Sequence, residues 1–183
     1  MTTHNIAVFV GSLRKASLNL RLAQALEKLL PSHLKFHYAD LDLPLYNQDL
    51  ESELPASVAR VKQLIKDADG VLFVSPEHNR SIPAALKNAI DWGTRPPGQN
   101  VWIGKPAGVI GTSPGSTGTA MAQQHLRNVL AAEGINVLTT PEVFLQMKEG
   151  LIDEHYQITN EDTRKFLQAW VDRYVSWVER FAS

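Results

Sequence analysis

The residues with the clearest chemical potential in this 183-residue chain form a loop at residues 11–19, Gly-Ser-Leu-Arg-Lys-Ala-Ser-Leu-Asn. Ser12, Ser17 and Asn19 carry neutral hydrogen-bond donors, and Arg14 can bind two oxygens of one phosphate at once. A helix beginning here adds backbone N–H groups, which favour an anion. The loop therefore predicts an anion site. The alternative is that Ser17 only caps the helix and Arg14 is a solvated charge.

The glycine pattern of this loop indicates which kind of anion it binds. It contains one glycine, Gly11, where a dinucleotide-binding turn has three, and it does not follow the P-loop pattern. Nothing in it indicates a backbone that passes closely over a pyrophosphate. A terminal monophosphate held by hydroxyl groups fits the loop better.

A second polar segment, Ser-Pro-Glu-His-Asn-Arg-Ser-Ile-Pro, occupies residues 75–83. Pro76 restricts the backbone, while Glu77 and Asn79 offer polar groups that can face the edge of a flat ring. Pro83 is well placed at a helix start, where its missing N–H costs little. This segment is thus a candidate border for a ring-shaped ligand.

A third loop, at residues 111–115, matches the G-x-S-x-G pattern of a hydrolase nucleophile. A downstream His125 or His155, with an aspartate, allows a triad to be written around Ser113. However, the residue after the nucleophile must donate its backbone N–H to the oxyanion hole, and Pro114 has none. Losing one such donor costs about two to three orders of magnitude in rate. The pattern therefore argues only weakly for a hydrolase.

The apolar pattern places these loops at the ends of strands. Continuous apolar runs predict buried strands, and alternation at Leu34, Phe36 and Tyr38 predicts a half-exposed edge strand. The buried runs lie at residues 6–10, 70–75, 107–111 and 135–138, and helical spacing lies at 18–29, 58–68, 83–92, 120–132 and 162–181. This alternation predicts a parallel sheet with helices on both faces and ligands beyond the carboxyl ends of its strands.

Composition limits the classes of function. The chain has 44% hydrophobic and 20% charged residues and a net charge of −1, which disfavours nucleic acid as a partner. It has no cysteine, so redox chemistry requires a bound cofactor. A polar N-terminus and the lack of a long apolar stretch predict a cytoplasmic protein with no membrane partner. With no repeat or linker, we expect residues 1–183 to form one domain.

Taken together, the first two loops resemble the NADPH-dependent FMN reductase family. GSLRKASLN at residues 11–19 is similar to the family's GS-R-x-S-x-N phosphate loop, and PEHNRSIPAALKNAIDW at residues 76–92 is similar to its PEYN-x-S-x-P-x-x-LKNAIDW segment. Order and spacing match over residues 6–141. The resemblance implies an α/β fold of the flavodoxin-like type, a three-layer sandwich with a five-stranded parallel sheet and helices on both faces.

The resemblance also implies FMN as the cofactor and assigns residues to it. The FMN phosphate and ribityl chain would lie among Ser12, Arg14, Ser17, Asn19 and Leu20. The isoalloxazine would be bordered by Pro76, Glu77, His78 and Asn79, and by Ser113 and Gly115 of the third loop. The clearest departure is His78, where the family has tyrosine; imidazole is smaller and can be protonated, which leaves the choice of acceptor open. Because flavin carries the chemistry, no catalytic side chain and no metal ligand is assigned.

By the same resemblance, we expect ping-pong electron transfer from NADPH or NADH to a small-molecule acceptor, such as a quinone, a flavin, an azo compound or a metal oxyanion. The alternative is a flavodoxin-type electron carrier that does not itself oxidise NAD(P)H; such carriers tend to be strongly acidic, unlike this chain. A homodimer or homotetramer is also implied. The aromatic, proline-rich segment at residues 92–102 is either a partner surface or, for its two tryptophans, part of the core.

Overall fold

The computed structural model describes residues 2–182, in which strands and helices alternate as predicted. The strands are β1 (His4–Val10), β2 (Leu34–Tyr38), β3 (Gly70–Val74), β4 (Pro106–Ser113), β5 (Asn136–Val137) and β6 (Phe144–Gln146). The helices are α1 (Leu18–Glu27), α2 (Ala56–Asp67), α3 (Ala84–Thr94), α4 (Ala120–Ala132) and α5 (Glu161–Phe181), and a 3-10 turn lies at Gln48–Leu50. Among these helices, none is long and apolar enough to cross a bilayer.

The sheet is parallel throughout, with strand order β2-β1-β3-β4-β5. The fifth position is divided between two short strands. β5 pairs with the start of β4 at Pro106, and β6 pairs with its end at residues 111–113. The sequence pattern predicted only the first of these. Pro141, which cannot donate to a ladder, lies between the two strands. The predicted five-position parallel sheet is confirmed.

The two faces of the sheet hold separate hydrophobic cores. Alternate residues of β1 point to opposite sides: Ile6 and Val8 pack with α1 and α5, whereas Ala7 and Phe9 pack with α2, α3 and α4. Because β1 is buried on both faces, its sequence is one continuous apolar run. The sheet is therefore the middle layer of three, with its strand ends free to carry loops.

Both tryptophans of residues 92–102 lie in the core. Trp92 is 1% exposed and Trp102 is 0% exposed. The Trp102 ring packs against Phe9 and Phe73, with centroids 5.3 and 5.8 Å away. Of the two interpretations of this segment, the structure supports a core position for its tryptophans and places neither on a partner surface.

Candidate cofactor site

Three loops meet at the carboxyl edge of the sheet. Loop 1 (residues 11–17) follows β1, loop 2 (residues 75–83) follows β3, and loop 3 (residues 114–119) follows β4. Strand order reverses between β1 and β3, because β2 lies on the far side of β1. Such a switch point is where parallel α/β sheets bind ligands. The topology therefore brings together the three segments that the sequence singled out.

Two glycines allow these loops to approach closely. A Cβ atom at Gly11 would lie 3.0 Å from Cδ of Pro76. One at Gly111 would lie 2.1 Å from the carbonyl oxygen of Ser75, far inside van der Waals contact. The close approach of loop 2 to β4 therefore requires glycine at position 111, whereas a side chain at position 11 would crowd Pro76 by a few tenths of an ångström.

Loop 1 ends at the N-terminus of α1, where Ser17 is the N-cap. Its Oγ accepts a hydrogen bond from the Leu20 N–H at 3.1 Å, as the capping interpretation predicted. The hydroxyl proton remains available for donation. The N–H groups of Leu18 and Asn19, in the first turn, have no intrahelical carbonyl to bind. Capping by Ser17 and an anion site at this helix end are thus compatible.

Ser12 and Arg14, the other two residues of loop 1 predicted to bind the anion, differ in their exposure. Ser12 is half-buried, and its Oγ lies 3.4 Å from the backbone N of Arg14, which donates to it. The Arg14 side chain is exposed. Loop 1 contains no acidic residue, so the charges that it contributes at the start of α1, from Arg14 and Lys15, are positive.

Asn19 has a structural function that the sequence did not reveal. The side chain is 3% exposed; its Nδ2 donates to the carbonyl oxygen of Thr112 at 2.9 Å, and its Oδ1 accepts from the N–H of Thr112 at 3.0 Å. Two residues earlier in β4, the carbonyl oxygen of Ile110 accepts a hydrogen bond from the N–H of Ser75, on the edge of β4 that faces β3. Because β3 ends at Val74, the Asn19 amide takes the place of the missing strand. Both amide atoms of Asn19 are thus bonded to β4, while its backbone N–H lies in the first turn of α1, without an intrahelical partner.

Loop 2 contains a tight turn with an unusual backbone. The N–H of His78 donates to the carbonyl of Ser81, and the N–H of Ser81 donates to the carbonyl of His78, both at 3.0 Å. Between them, Asn79 has φ 50° and Arg80 has φ 64°, the left-handed pair of a type I′ turn. Asparagine tolerates this region, but arginine rarely occupies it. His78, Asn79 and Arg80 are exposed at the tip of the turn.

Glu77 binds a helix. Its Oε2 accepts from the backbone N–H groups of Met121 and Ala122, both at 3.1 Å. The N-cap residue of α4, Thr119, has a left-handed φ of 71° and makes no side-chain cap. The carboxylate of Glu77 acts as the cap instead, and its negative charge complements the positive end of the helix. This ties loop 2 to loop 3. A contact between residues 44 positions apart leaves no local signal in the sequence. The resemblance predicted a position at the flavin for Glu77.

Loop 3 is open, and its hydrolase pattern is not assembled. The Ser113 hydroxyl donates to the carbonyl of Gly115 at 3.1 Å, while Nδ1 of His125 lies 3.0 Å from Oγ of Ser81. Each group is thus engaged elsewhere. A Cβ atom at Gly115 would meet only Oγ of Ser113, at 3.6 Å, so the fold itself does not require glycine there.

The α3 segment that resembles the family holds the long connection between β2 and α2. The Asn88 amide accepts from the N–H of Tyr46 at 2.8 Å and donates to the carbonyl of Pro44 at 2.9 Å. Nε1 of Trp92 donates to the same carbonyl at 2.8 Å. Asn88 and Trp92 therefore support the architecture around the site and do not enter it.

An ionic cluster closes the same connection. The Tyr46 hydroxyl donates to Oε1 of Glu51 at 2.6 Å, and Nε of Arg95 donates to that oxygen at 2.7 Å and to the Tyr46 hydroxyl at 2.9 Å. Hydrogen bonds from Tyr46 and Arg95 lower the pKa of Glu51, and the bond to Glu51 raises the pKa of Tyr46. The cluster links the end of α3 to the turn at residues 48–50.

The backbone after α3 is held by a buried lysine. Nζ of Lys62, on α2, donates to four backbone carbonyls. The acceptors are the carbonyl oxygens of Trp92, Gly93, Arg95 and Gln99. Burial, with a smaller repulsion from Lys66, lowers the pKa of Lys62 to about 8. None of the four hydrogen bonds of the Lys62 ammonium group goes to a carboxylate.

The fold is that of a flavodoxin-like protein, and its three loops meet at the switch point, where parallel α/β sheets bind ligands. The family model for NADPH-dependent FMN reductase matches residues 4–150, and the chain belongs to that family. The predicted family, fold and enzyme class are confirmed: the chain is an NAD(P)H-dependent reductase with FMN as its cofactor.

Individual relatives cover nearly the whole chain. A 2-hydroxy-1,4-benzoquinone reductase of a Burkholderia species is 52% identical over 174 residues, 94% of this chain and 95% of that protein. A quinone reductase of Pseudomonas putida is 45% identical over 178 residues, 96% and 95% of the two chains. The solved structure of FerB, a flavoenzyme NAD(P)H:(acceptor) oxidoreductase of Paracoccus denitrificans, is 48% identical and superposes with a TM-score of 0.95, covering 98% of this chain and 99% of that one.

Proposed function

We propose that this chain reduces quinones with electrons from NAD(P)H, by a ping-pong mechanism in which both substrates use one open site in turn. Support for the acceptor class comes from the relatives at 52% and 45% identity, whose names specify quinone reduction. Support for the site comes from one structural observation: three loops converge at the switch point, with the free N–H groups of α1 beneath them.

The residues present fit FMN. A monophosphate at the start of α1 would bind the N–H groups of Leu18 and Asn19 and the free hydroxyl proton of Ser17. Arg14 would supply the charged contact and Ser12 a further hydroxyl. The isoalloxazine would lie over loops 2 and 3, beside Pro76, His78, Asn79, Ser113 and Gly115. Glu77 would act on the ring mainly by holding these two loops together.

Bound FMN supplies hydride acceptance and electron donation, so the chain needs no nucleophile or metal for the chemistry. The protein's task is to hold the ring and leave one face open. The tip of loop 2, at residues 78–80, and residues 114–117 of loop 3 are exposed and leave room for a flat donor or acceptor. With bound FMN resting on the strand ends, NAD(P)H and the quinone would share the one remaining open face and use it in turn.

Several further features belong to this proposal. Free flavins, azo compounds and metal oxyanions such as chromate are additional acceptors, and the imidazole of His78 influences which of them fit. The chain acts as one domain over residues 1–183, in the cytoplasm, as a homodimer or homotetramer. Sedimentation of the purified protein measures the last of these directly.

The test is an anaerobic two-step experiment with FMN-loaded protein. NADPH or NADH alone should bleach the flavin absorbance, and a benzoquinone added afterwards should restore it. Initial rates at several fixed quinone concentrations should give parallel double-reciprocal lines. A flavin that stays oxidised with either nucleotide would instead identify a flavodoxin-type carrier, and intersecting lines would refute the shared site.

A further inference from the structure

A cavity of about 290 Å³ lies beside loop 1, on the side away from loops 2 and 3. Its floor is apolar and includes Val10 and Leu41, at or just beyond the ends of β1 and β2. Two exposed apolar side chains flank it, Leu13 at 58% and Tyr38 at 38% exposure. The Tyr38 hydroxyl donates to Oε2 of Glu27 at 2.8 Å, which fixes the ring. An apolar recess with an aromatic wall suits a flat heteroaromatic ring.

The rim of this cavity carries opposite charges. Asp40 is exposed, and its Oδ1 accepts from the N–H of Asp42 at 3.0 Å; a carboxylate has further acceptor positions free. Lys15 of loop 1 also lines the cavity. β2 pairs directly with β1, with Val8 opposite Tyr38. Asp40 therefore lies two residues beyond the strand next to β1, where nucleotide-binding α/β sheets place the acid that binds the adenosine ribose.

We propose that this cavity binds the adenosine half of NAD(P)H, with Asp40 accepting hydrogen bonds from the ribose hydroxyls and Lys15 facing the 2′-phosphate of NADPH. The inference rests on the proposed function, which brings the nicotinamide over loop 2. Neighbouring strands lie about 4.8 Å apart, so the end of β2 is roughly 10 Å from that of β3, and an extended dinucleotide is long enough to span that separation.

The cavity is distinct from the place predicted for the flavin ring. Loops 2 and 3, both fully described, contribute no residue to its lining. It adjoins the predicted site of the FMN phosphate, since Ser12, Arg14 and Leu20 also line the cavity. Asp40 and Lys15 are not assigned to the flavin, so substitutions there test donor recognition separately from flavin binding.

The first experiment compares Asp40→Asn with Asp42→Asn, a matched change two residues along, using FMN-loaded enzyme and quinone. Loss of a charged hydrogen-bond acceptor should raise the KM for NADH about tenfold or more. The KM for NADPH should rise less, because removal of the carboxylate also removes its repulsion of the 2′-phosphate. The kcat for both nucleotides should stay unchanged in Asp40→Asn, and Asp42→Asn should match wild type.

Two further measurements complete the test. Lys15→Gln should raise the KM for NADPH but leave that for NADH unchanged. Reduced nicotinamide mononucleotide, which lacks adenosine, should serve wild type and Asp40→Asn equally well. This second donor also separates the two proposals: if it reduces quinone while Asp40→Asn leaves NADH kinetics untouched, the cavity assignment is wrong and the quinone reductase stands.

Calorimetric binding of 5′-AMP gives a readout that does not depend on turnover. FMN-loaded wild type should bind it, and Asp40→Asn should bind it about tenfold more weakly. Binding of 5′-AMP that disappears when FMN is loaded would assign the cavity to the flavin and overturn the proposal.

Discussion

Replacing Asn19 by alanine separates a structural function from direct contact with the cofactor. The substitution removes two buried hydrogen bonds, at 2.9 and 3.0 Å, that join α1 to Thr112 of β4. Each contributes about 1 kcal/mol net, and a buried peptide group left without a partner costs about 1–3 kcal/mol more. Alanine returns a few tenths of a kcal/mol through its helix propensity. The free energy of unfolding should therefore fall by about 2–4 kcal/mol.

Thermal unfolding of the FMN-free protein measures this loss. For a chain of this size, 1 kcal/mol corresponds to about 2–4 °C in Tm, so a drop of roughly 4–16 °C is expected. The FMN-loaded protein should show a similar drop, because the side chain of Asn19 is committed to β4 and its backbone N–H is unchanged. FMN affinity, measured by fluorescence titration at low temperature, should change less than tenfold.

The control is Asn128→Ala, at an exposed position of α4, which should change stability by no more than about 0.5 kcal/mol. An Asn19→Ala protein with wild-type Tm but FMN affinity reduced by a hundredfold would refute the reasoning. That outcome would restore the side chain to the flavin, as the resemblance implied.

Three other perturbations follow from the site. Arg14→Ala should weaken FMN binding about 10–100-fold in a fluorescence titration, from the loss of a charge-assisted contact, with the Tm unchanged; wild-type affinity would remove Arg14 from the phosphate site. Gly111→Ala should lower unfolding free energy by about 1–3 kcal/mol or more in urea, because its Cβ would lie 2.1 Å from the Ser75 carbonyl oxygen; Gly115→Ala, whose Cβ has room, is the control. Lys62 has its folded-state pKa lowered to about 8 from 10.5, so the unfolded chain binds more protons between those values and stability should rise with pH across that window; Lys62→Met should lack this rise in pH-dependent denaturation, and an identical pH profile in both proteins would contradict the assignment.

The loops around the site are supported by long-range polar contacts more than by their own sequence. Glu77 caps α4 from 44 residues away, and Asn88 and Trp92 hold the connection after β2. Mutational loss of activity at these positions should accompany loss of stability. A residue of the family segment is therefore not automatically a ligand contact.

Much of the fold was predictable from local patterns. The continuous apolar run of β1 and the helical spacing of α5 reflect burial that each segment undergoes on its own, so period and composition reveal them. Helix capping by Ser17 is equally local, because the capping oxygen and the Leu20 N–H that donates to it lie three residues apart. The two loop motifs were specific enough to indicate the family, which the comparisons confirm.

Only the tertiary structure decided which polar residues of those motifs are free for a ligand. Asn19 reaches across 93 residues to β4, and Glu77 across 44 to α4, and no local spacing encodes such partners. The cavity beside Asp40 likewise exists only because β2 returns to lie next to β1. The sequence determined which polar side chains the chain carries at its strand ends. The folded backbone determined which of them bind within the protein, because some peptide groups have no strand or helix partner and are hydrogen-bonded by these side chains instead.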